Sequence, residues 1–213
     1  MKIAFCGYDG KMGSKIYEFL RENKLLFEFI LINKNTINIY DKIKNVDLVV
    51  DFTNRNFTYE LALFCAHNRI PLVSGTTGLS KEELRKIDAS FKYNKTGCYI
   101  CPNFSKGINI IKNILPHLED NYININIEET HHITKLDSPS GTALQLKNKI
   151  KKDIPIYSKR KKHYNAIHKI SCYDDYEELI IIHKVKNKFA YGHFVLKAIK
   201  NVFNFNGLKE EII

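Results

Sequence analysis

Two adjacent histidines and a lysine lie just before a segment that opens a helix. His131 and His132 precede Lys135, and the segment Pro139–Thr142 then begins an apolar run that predicts a helix over Gly141–Lys152. A helix start leaves several backbone N–H groups without intrahelical partners and carries a partial positive charge. The segment therefore predicts a site for a carboxylate, to which the lysine and His132 can add positive charge.

A metal site is the first alternative for these histidines, which we predict to lie in a loop. Adjacent histidines point in different directions, and the sequence contains neither a His-Glu-x-x-His motif nor paired Cys-x-x-Cys motifs. Cys98 and Cys101 have redox-motif spacing, but they lie in a predicted strand, where positions three apart face opposite sides. We therefore predict no metal site and no redox role for these cysteines.

The N-terminus predicts a dinucleotide-binding turn. A short strand, Lys2–Phe5, is followed by glycines in the spacing Gly-x-x-Gly-x-x-Gly and then by a helical pattern. Such glycines allow a tight turn, let the backbone approach a pyrophosphate and let the helix pack close to the strand. The candidate cofactor-binding residues of this turn are Gly7, Tyr8, Asp9, Gly10, Lys11, Met12 and Gly13.

The end of the second predicted strand, Phe27–Ile32, bears on the choice of nucleotide. Dehydrogenases that prefer NAD place an acidic residue there, whereas this chain has Asn33 and Lys34. A cation tolerates a 2′-phosphate better than a carboxylate does, so Lys34 favours NADPH, with NADH as a possible substitute. An ordinary loop lysine is an equally good interpretation.

Three further apolar strands, Asp47–Phe52, Leu72–Ser74 and Gly97–Pro102, each end in a polar loop. The carboxyl ends of strands are where ligands bind in open α/β sheets. The candidate cofactor-binding residues at the first two of these ends are Phe52, Thr53, Gly75, Thr76 and Thr77.

The order of predicted elements changes after the fifth strand. Alternating isoleucines over Tyr122–Glu129 predict a strand with one wet face, and Ile167–Tyr173 and Leu179–Val185 predict two more strands. The sequence therefore predicts an α/β protein with an N-terminal Rossmann-like dinucleotide-binding domain and a smaller α+β substrate domain with a mixed sheet. The predicted domains are 1–104 with 187–213, and 105–186.

Length and composition exclude several classes of protein. The chain has 213 residues, of which 44% are hydrophobic and 26% charged, and no apolar run approaches the roughly 20 residues that span a bilayer. We expect no membrane partner. Five cysteines without a secretory signal predict a cytoplasmic protein. The net charge of +10 raises the possibility of nucleic acid, but no nucleic-acid-binding motif accompanies it, so we interpret the basic run 159–163 as a solvated face.

The histidine segment resembles the signature of the dihydrodipicolinate (4-hydroxy-tetrahydrodipicolinate) reductase family, His-His-x-x-Lys-x-Asp-x-Pro-Ser-Gly-Thr-Ala. The match has no gap and comprises His131, His132, Lys135, Asp137 and the segment Pro139–Ala143. The family's Gly-x-x-Gly-x-Met-Gly, Ser-Gly-Thr-Thr-Gly and Pro-Asn-Phe-Ser-x-Gly also have counterparts, at 7–13, 74–78 and 102–107.

This resemblance implies an activity and roles for particular residues. The family transfers a hydride from NADPH or NADH to a cyclic imine dicarboxylate, giving tetrahydrodipicolinate for diaminopimelate and lysine biosynthesis. It implies His131 and Lys135 as catalytic residues, and Asn103 and Phe104 as further cofactor-binding residues beside the nicotinamide. The implied substrate-binding residues are His132, Lys135, Ser140, Gly141 and Thr142.

The resemblance weakens after about residue 152. Family members carry an Arg- and Gly-containing strand segment ending in Gly-x-His, and the shortened, charged stretch Ser158–Asp175 stands in its place. That region helps to pair family subunits, often into tetramers, so we expect a homo-oligomer without fixing its order. The alternative function is a non-catalytic dinucleotide-binding protein that retains the fold.

Overall fold

The computed structural model describes residues 1–23, 27–163, 166–187 and 189–211, and the chain divides into two compact units. One unit contains residues 1–104 and the C-terminal segment after residue 187, and the other contains residues 105–187. The chain therefore leaves the first unit once and returns to it near its end.

The described residues form ten strands and seven α-helices. The strands are β1 (Lys2–Cys6), β2 (Glu28–Ile32), β3 (Leu48–Asp51), β4 (Leu72–Ser74), β5 (Gly97–Ile100), β6 (Asn124–His132), β7 (Ile156–Lys161), β8 (Ile167–Tyr173), β9 (Glu178–Lys184) and β10 (Gly207–Lys209). The helices are α1 (Gly13–Glu22), α2 (Ile39–Ile43), α3 (Arg55–His67), α4 (Lys81–Tyr93), α5 (Lys106–Asn121), α6 (Gly141–Lys147) and α7 (Phe189–Asn201). A short 3₁₀ helix, Val202–Asn204, follows α7.

The first unit is built on a six-stranded parallel sheet in the order β10-β5-β4-β3-β1-β2. Alternate residues of β1 enter opposite faces: Ile3 and Phe5 pack with α1 and α7, whereas Ala4 and Cys6 pack with α2, α3 and α4. Helices on both faces explain why these strands are continuous apolar runs. This architecture confirms the predicted Rossmann-like sheet.

The cysteines of the first unit follow the same alternation. Cys98 packs on the face covered by α3 and α4, and Cys101 packs on the face covered by α1 and α7. Both cysteines are buried and form no disulfide, and burial raises the pKa of Cys98 well above its ordinary value. The two sulfurs therefore face opposite sides of the sheet, as the strand prediction required.

The second unit contains a mixed four-stranded sheet in the order β7-β6-β8-β9. β6 is parallel to β7 and antiparallel to β8, which is antiparallel to β9. Helices α5 and α6 cover one face, where Ile108 and Leu115 pack with Ile127, Leu146 and Ile170. The predicted α+β unit with a mixed sheet is confirmed.

In the second unit two local predictions are wrong, and one strand was not predicted. The histidine pair ends strand β6 rather than lying in a loop, and the charged segment 156–161 forms β7, which we did not predict. The predicted helix Gly141–Lys152 ends at Lys147. The ladder breaks because the N–H groups of Lys149 and Ile150 donate three residues back, at 3.0 and 2.9 Å. The buried Glu119 carboxylate then accepts the N–H groups of Lys151 and Lys152 at 3.0 and 2.6 Å, which keeps them out of the helix.

A bilayer crossing requires a long apolar helix, and none of the helices among the described residues has that length and character.

Candidate active site

The turn between β1 and α1 brings the backbone into very close contact with itself. Gly7 has a φ of +76°, and a Cβ added at Gly13 would lie 2.0 Å from the carbonyl oxygen of Gly7. Any side chain at Gly13 would therefore push α1 away from the sheet. Gly10 closes the turn by donating its N–H to the same carbonyl at 3.1 Å. Of the other candidate residues here, Asp9 and Lys11 are exposed, whereas Tyr8 and Met12 are half-buried.

The residues that follow β2 lie beside this turn. The amide of Asn33 donates to the hydroxyl of Tyr8 at 3.4 Å, and the N–H of Gly7 donates to the carbonyl of Ile32 at 2.9 Å. Lys34 comes next and is exposed. The structure thus brings the Tyr8 ring to the carboxyl end of β2, where the loop that contains Lys34 begins.

A buried carboxylate organises the ends of β3 and β4. Asp51 is fully buried and accepts hydrogen bonds from the hydroxyls of Thr53 (2.5 Å), Thr58 (2.6 Å), Ser74 (2.7 Å) and Thr76 (3.1 Å). Buried charges are retained in proteins only where such partners satisfy them. Asp51 therefore fixes both loops in which we predicted cofactor-binding residues, although the sequence analysis did not single it out.

Replacing Asp51 with asparagine is expected to lower the free energy of unfolding by roughly 3 kcal/mol, because one acceptor oxygen becomes an N–H donor facing hydroxyl groups. Urea denaturation followed by circular dichroism measures this change. Asp41→Asn, which removes an exposed ion pair with Lys44, serves as the control and should change the value by no more than about 1 kcal/mol. An equally small loss for Asp51→Asn would show that the hydroxyl network does not depend on the charge.

The aromatic ring of Phe52 lies against two other candidate cofactor-binding residues of the first unit. A Cβ at Gly75 would lie 2.2 Å from this ring, and the ring of Phe104 lies 5.8 Å away between centroids. Thr77 is exposed and Asn103 half-buried. Phe52, Gly75 and Phe104 are thus brought together at the carboxyl edge of the sheet.

In the second unit, strand alternation places Glu129 and His131 on the same face of β6. Glu129 is fully buried, and its carboxylate contacts the Nδ1 of His131. A carboxylate accepts only, so Nδ1 must carry the proton and donate it. The carboxylate thereby fixes the ring orientation and leaves Nε2 as the nitrogen available for chemistry.

Glu129 also accepts hydrogen bonds from Arg160 and from the start of α6. Nη1 of Arg160 lies 3.0 and 3.1 Å from the two carboxylate oxygens, and the N–H of Ser140 donates to Oε1 at 3.2 Å. Burial alone would raise the pKa of Glu129, but the neighbouring side chains of Ser158, His131 and Arg160 lower it below its ordinary value. The group is therefore a carboxylate at neutral pH.

Lys135 and the first turn of α6 hold a second carboxylate. The Nζ of Lys135 lies 2.8 Å from Oδ1 of Asp137, and the N–H of Gly141 donates to Oδ2 at 3.3 Å. The hydrogen bond from Lys135 lowers the pKa of Asp137. Ser140 caps α6 by accepting from the N–H of Ala143 at 3.2 Å. The predicted anion donors thus already bind one carboxylate, although it belongs to this chain.

His132 lies apart from this arrangement. Its Nδ1 is 2.9 Å from the hydroxyl of Thr134, and its side chain is exposed on the face of β6 opposite His131. Thr142 lies half-buried in the first turn of α6. The structure therefore groups His131, Lys135, Ser140 and Gly141 but directs the His132 side chain elsewhere.

Two further histidines lie behind His131 on β8 and β9. The rings of His131 and His168 are 5.2 Å apart, and those of His168 and His183 are 6.1 Å apart. His168 is 2% exposed, and among the described residues neither of its ring nitrogens has a hydrogen-bond partner. Burial, followed by the nearby His131 and His183, lowers the pKa of His168 to about 3. His168 is therefore neutral beside His131.

This lowered pKa predicts an acid-sensitive stability. The unfolded chain protonates His168 below its ordinary pKa of 6.5, whereas the folded chain does so only near 3, so stability is lost as the pH falls through that range. Between pH 7 and pH 5 the histidine is expected to cost the wild type about 2 kcal/mol of its free energy of unfolding, and His168→Leu should not show this loss. Urea denaturation at both pH values measures it. His117→Leu, a substitution at an exposed histidine, should lose as much stability between the two pH values as the wild type. A full acid response in the His168 variant would contradict the assignment.

Among the residues that the structure describes, no three His, Cys, Asp or Glu side chains are grouped so as to hold a metal ion.

Two family models match the chain. "Dihydrodipicolinate reductase, N-terminus" matches residues 1–104, and "Dihydrodipicolinate reductase, C-terminus" matches residues 107–210. Two curated relatives, both named 4-hydroxy-tetrahydrodipicolinate reductase, come from Buchnera aphidicola subsp. Cinara cedri and Christiangramia forsetii. They are 29% and 30% identical to this chain, and each alignment covers 92% of this chain and 90% of the relative.

A solved structure has the same fold over nearly the whole chain. The dipicolinate-bound dihydrodipicolinate reductase from Paenisporosarcina sp. TG-14 aligns with a TM-score of 0.85 at 22% identity, covering 99% of this chain and 97% of that chain. Similarity at this identity concerns the fold, and it extends over both units of the chain.

Proposed function

This chain belongs to the dihydrodipicolinate reductase family, and from that membership we propose that it catalyses the NAD(P)H-dependent reduction of 4-hydroxy-tetrahydrodipicolinate to tetrahydrodipicolinate. The unit of residues 1–104 and the C-terminal segment binds the dinucleotide. Residues 105–187 bind the dicarboxylate. The reaction serves the biosynthesis of diaminopimelate and lysine.

The residues of the first unit fit a dinucleotide. The strand order reverses at β1, which lies between β2 and β3, and such a reversal leaves a crevice at the carboxyl ends of the strands. Gly13 keeps the start of α1 against that crevice, where a pyrophosphate is favoured. The exposed Lys34 supports a preference for the 2′-phosphate of NADPH. When bound, the reduced nicotinamide supplies the hydride.

One observation carries the assignment of the dicarboxylate site. Lys135 and the N–H of Gly141 already hold a carboxylate, that of Asp137, at 2.8 and 3.3 Å. A substrate carboxylate has the same charge and acceptor geometry, so it can take these donors when Asp137 yields them. Ser140 and Thr142 supply further donors of the same turn. His132 joins only if its exposed side chain changes rotamer.

His131 is the proposed general acid. Loss of water from the 4-hydroxy substrate gives a conjugated cyclic imine. Hydride addition to this imine leaves an enamine-like carbon that must be protonated, and an imidazole can donate that proton without a metal. Because Glu129 holds Nδ1, the proton is delivered from Nε2. Lys135 contributes by neutralising the carboxylate of the ring to be reduced.

The remaining expectations follow from this reaction. We expect a small-molecule substrate without nucleic acid or membrane partners, a cytoplasmic enzyme and a homo-oligomer. The free, buried state of all five cysteines is compatible with a reducing compartment.

The decisive experiment mixes the purified protein with NADPH and freshly prepared substrate and follows the absorbance of the reduced nicotinamide. We expect oxidation that depends on both protein and substrate, with NADH compared in parallel. A protein that binds NADPH tightly but never oxidises it in the presence of substrate would instead be the non-catalytic dinucleotide-binding alternative.

A further inference from the structure

Arg160 contacts several groups of the candidate site, although the sequence analysis did not single it out. It lies on β7, and its side chain is only 19% exposed. Besides the two Glu129 oxygens, Nε donates to the carbonyl of Lys135 at 3.2 Å and Nη2 donates to the carbonyl of Asp137 at 2.5 Å. Nη1 also donates to the carbonyl of Lys159 at 2.9 Å. All three nitrogens of one planar group are therefore engaged.

These contacts connect the two proposed catalytic groups. Glu129 holds the ring of His131, and the carbonyls of Lys135 and Asp137 belong to the turn that carries the proposed cation. A guanidinium has fixed geometry, so its nitrogens set the distance between the buried carboxylate and this turn. Lysine has the same charge but a single nitrogen, and it cannot reach all three positions at once.

We propose that Arg160 is a positioning residue of the reductase: through Glu129 and the 135–137 turn it keeps the acid His131 and the cation Lys135 in one fixed arrangement. This inference rests on the proposed function. The role belongs to the geometry of the guanidinium and not to its charge alone. The neighbouring lysines 159, 161 and 162 are exposed and do not share it.

Arg160→Lys separates geometry from charge. We expect kcat to fall about 10- to 100-fold, the range typical of losing a partner that orients a functional group, while the dissociation constant of NADPH changes less than about twofold. Arg85→Lys makes the same exchange at an exposed position of α4 and should retain wild-type kcat. Wild-type kcat in Arg160→Lys would overturn the proposal.

A second readout is independent of turnover. Long-range ¹H–¹⁵N NMR of the His131 ring reports which nitrogen carries the proton, and the contact with Glu129 predicts the Nδ1–H tautomer in wild type. We expect Arg160→Lys to shift the ring toward Nε2–H, and Arg160→Gln, which keeps an N–H donor but loses the guanidinium fork, to do the same if the lysine variant fails to fold. Arg85→Lys should not.

The two readouts distinguish the possible failures. Absence of reductase activity in wild type, with the tautomer shift present, would refute the proposed function and leave Arg160 as the residue that positions His131. A folded Arg160→Lys with an unchanged tautomer and reduced thermal stability would show a merely structural arginine, and the inference would be wrong.

Discussion

Replacing His131 with glutamine is expected to lower kcat at least about 100-fold, because the proposed general acid is removed while a side-chain amide can still contact Glu129. NADPH should bind with nearly unchanged affinity, since the residue belongs to the second unit and the glycine turn to the first. Single-turnover oxidation of NADPH at saturating substrate measures the chemical step, and NADPH fluorescence measures binding.

His117→Gln is the matched control for this prediction. His117 is an exposed histidine on α5 of the same unit, so the exchange leaves the Glu129 contact intact, and turnover should stay within about twofold of wild type. Retention of full turnover in His131→Gln would remove the residue from the proposed mechanism.

Local signals in the sequence were sufficient for five of the six strands of the first unit, whereas β10 (Gly207–Lys209) was not predicted. Buried parallel strands are continuous apolar runs, so β1, β3 and β4 were recognisable from a few residues each. The glycine spacing also predicted the turn correctly: a Cβ at Gly13 would lie 2.0 Å from the carbonyl oxygen of Gly7. Strand alternation correctly predicted that Cys98 and Cys101 face opposite sides of the sheet.

The same reasoning failed where tertiary partners decide the outcome. Glu128 and Glu129 are identical neighbours in sequence, yet Glu128 pairs with the exposed Lys159 at 2.5 Å while Glu129 is fully buried against Arg160. Strand alternation turns the two side chains to opposite faces of β6, and the register against β7 then sets which cation each one contacts. Because β7 is a charged edge strand, its hydrophobic pattern was too weak to reveal it, and Arg160 looked like part of a solvated face.

Asp51 was missed for a similar reason. Its hydroxyl partners come from positions 53, 58, 74 and 76, and no local pattern indicates that Thr58 and Ser74 will converge on one carboxylate. His168 could have been noticed as a polar residue on the apolar side of a predicted strand. Its missing partners and its contact with His131 depend on sheet register alone.

Replacing Lys135 with methionine is expected to lower kcat/KM by about 100-fold or more, with the substrate KM raised and the NADPH affinity retained. Methionine keeps the length of the side chain but cannot neutralise a carboxylate. The loss should exceed that of an ordinary surface lysine because the Lys135 side chain is only 31% exposed and its ammonium group already engages Asp137 at 2.8 Å. Steady-state kinetics in both substrates measure these constants.

Lys162→Met provides the comparison, since this lysine is exposed just after β7 and its loss removes the same charge from the same unit. Dipicolinate offers a further measurement that needs no turnover: calorimetry should show its binding weakened in Lys135→Met and unchanged in Lys162→Met. If both variants lose affinity equally, the result would show that the net positive charge of the unit attracts the dianion and that Lys135 does not bind it specifically. A selective loss in Lys135→Met means that this one ammonium, beside the N–H of Gly141, recognises the carboxylate.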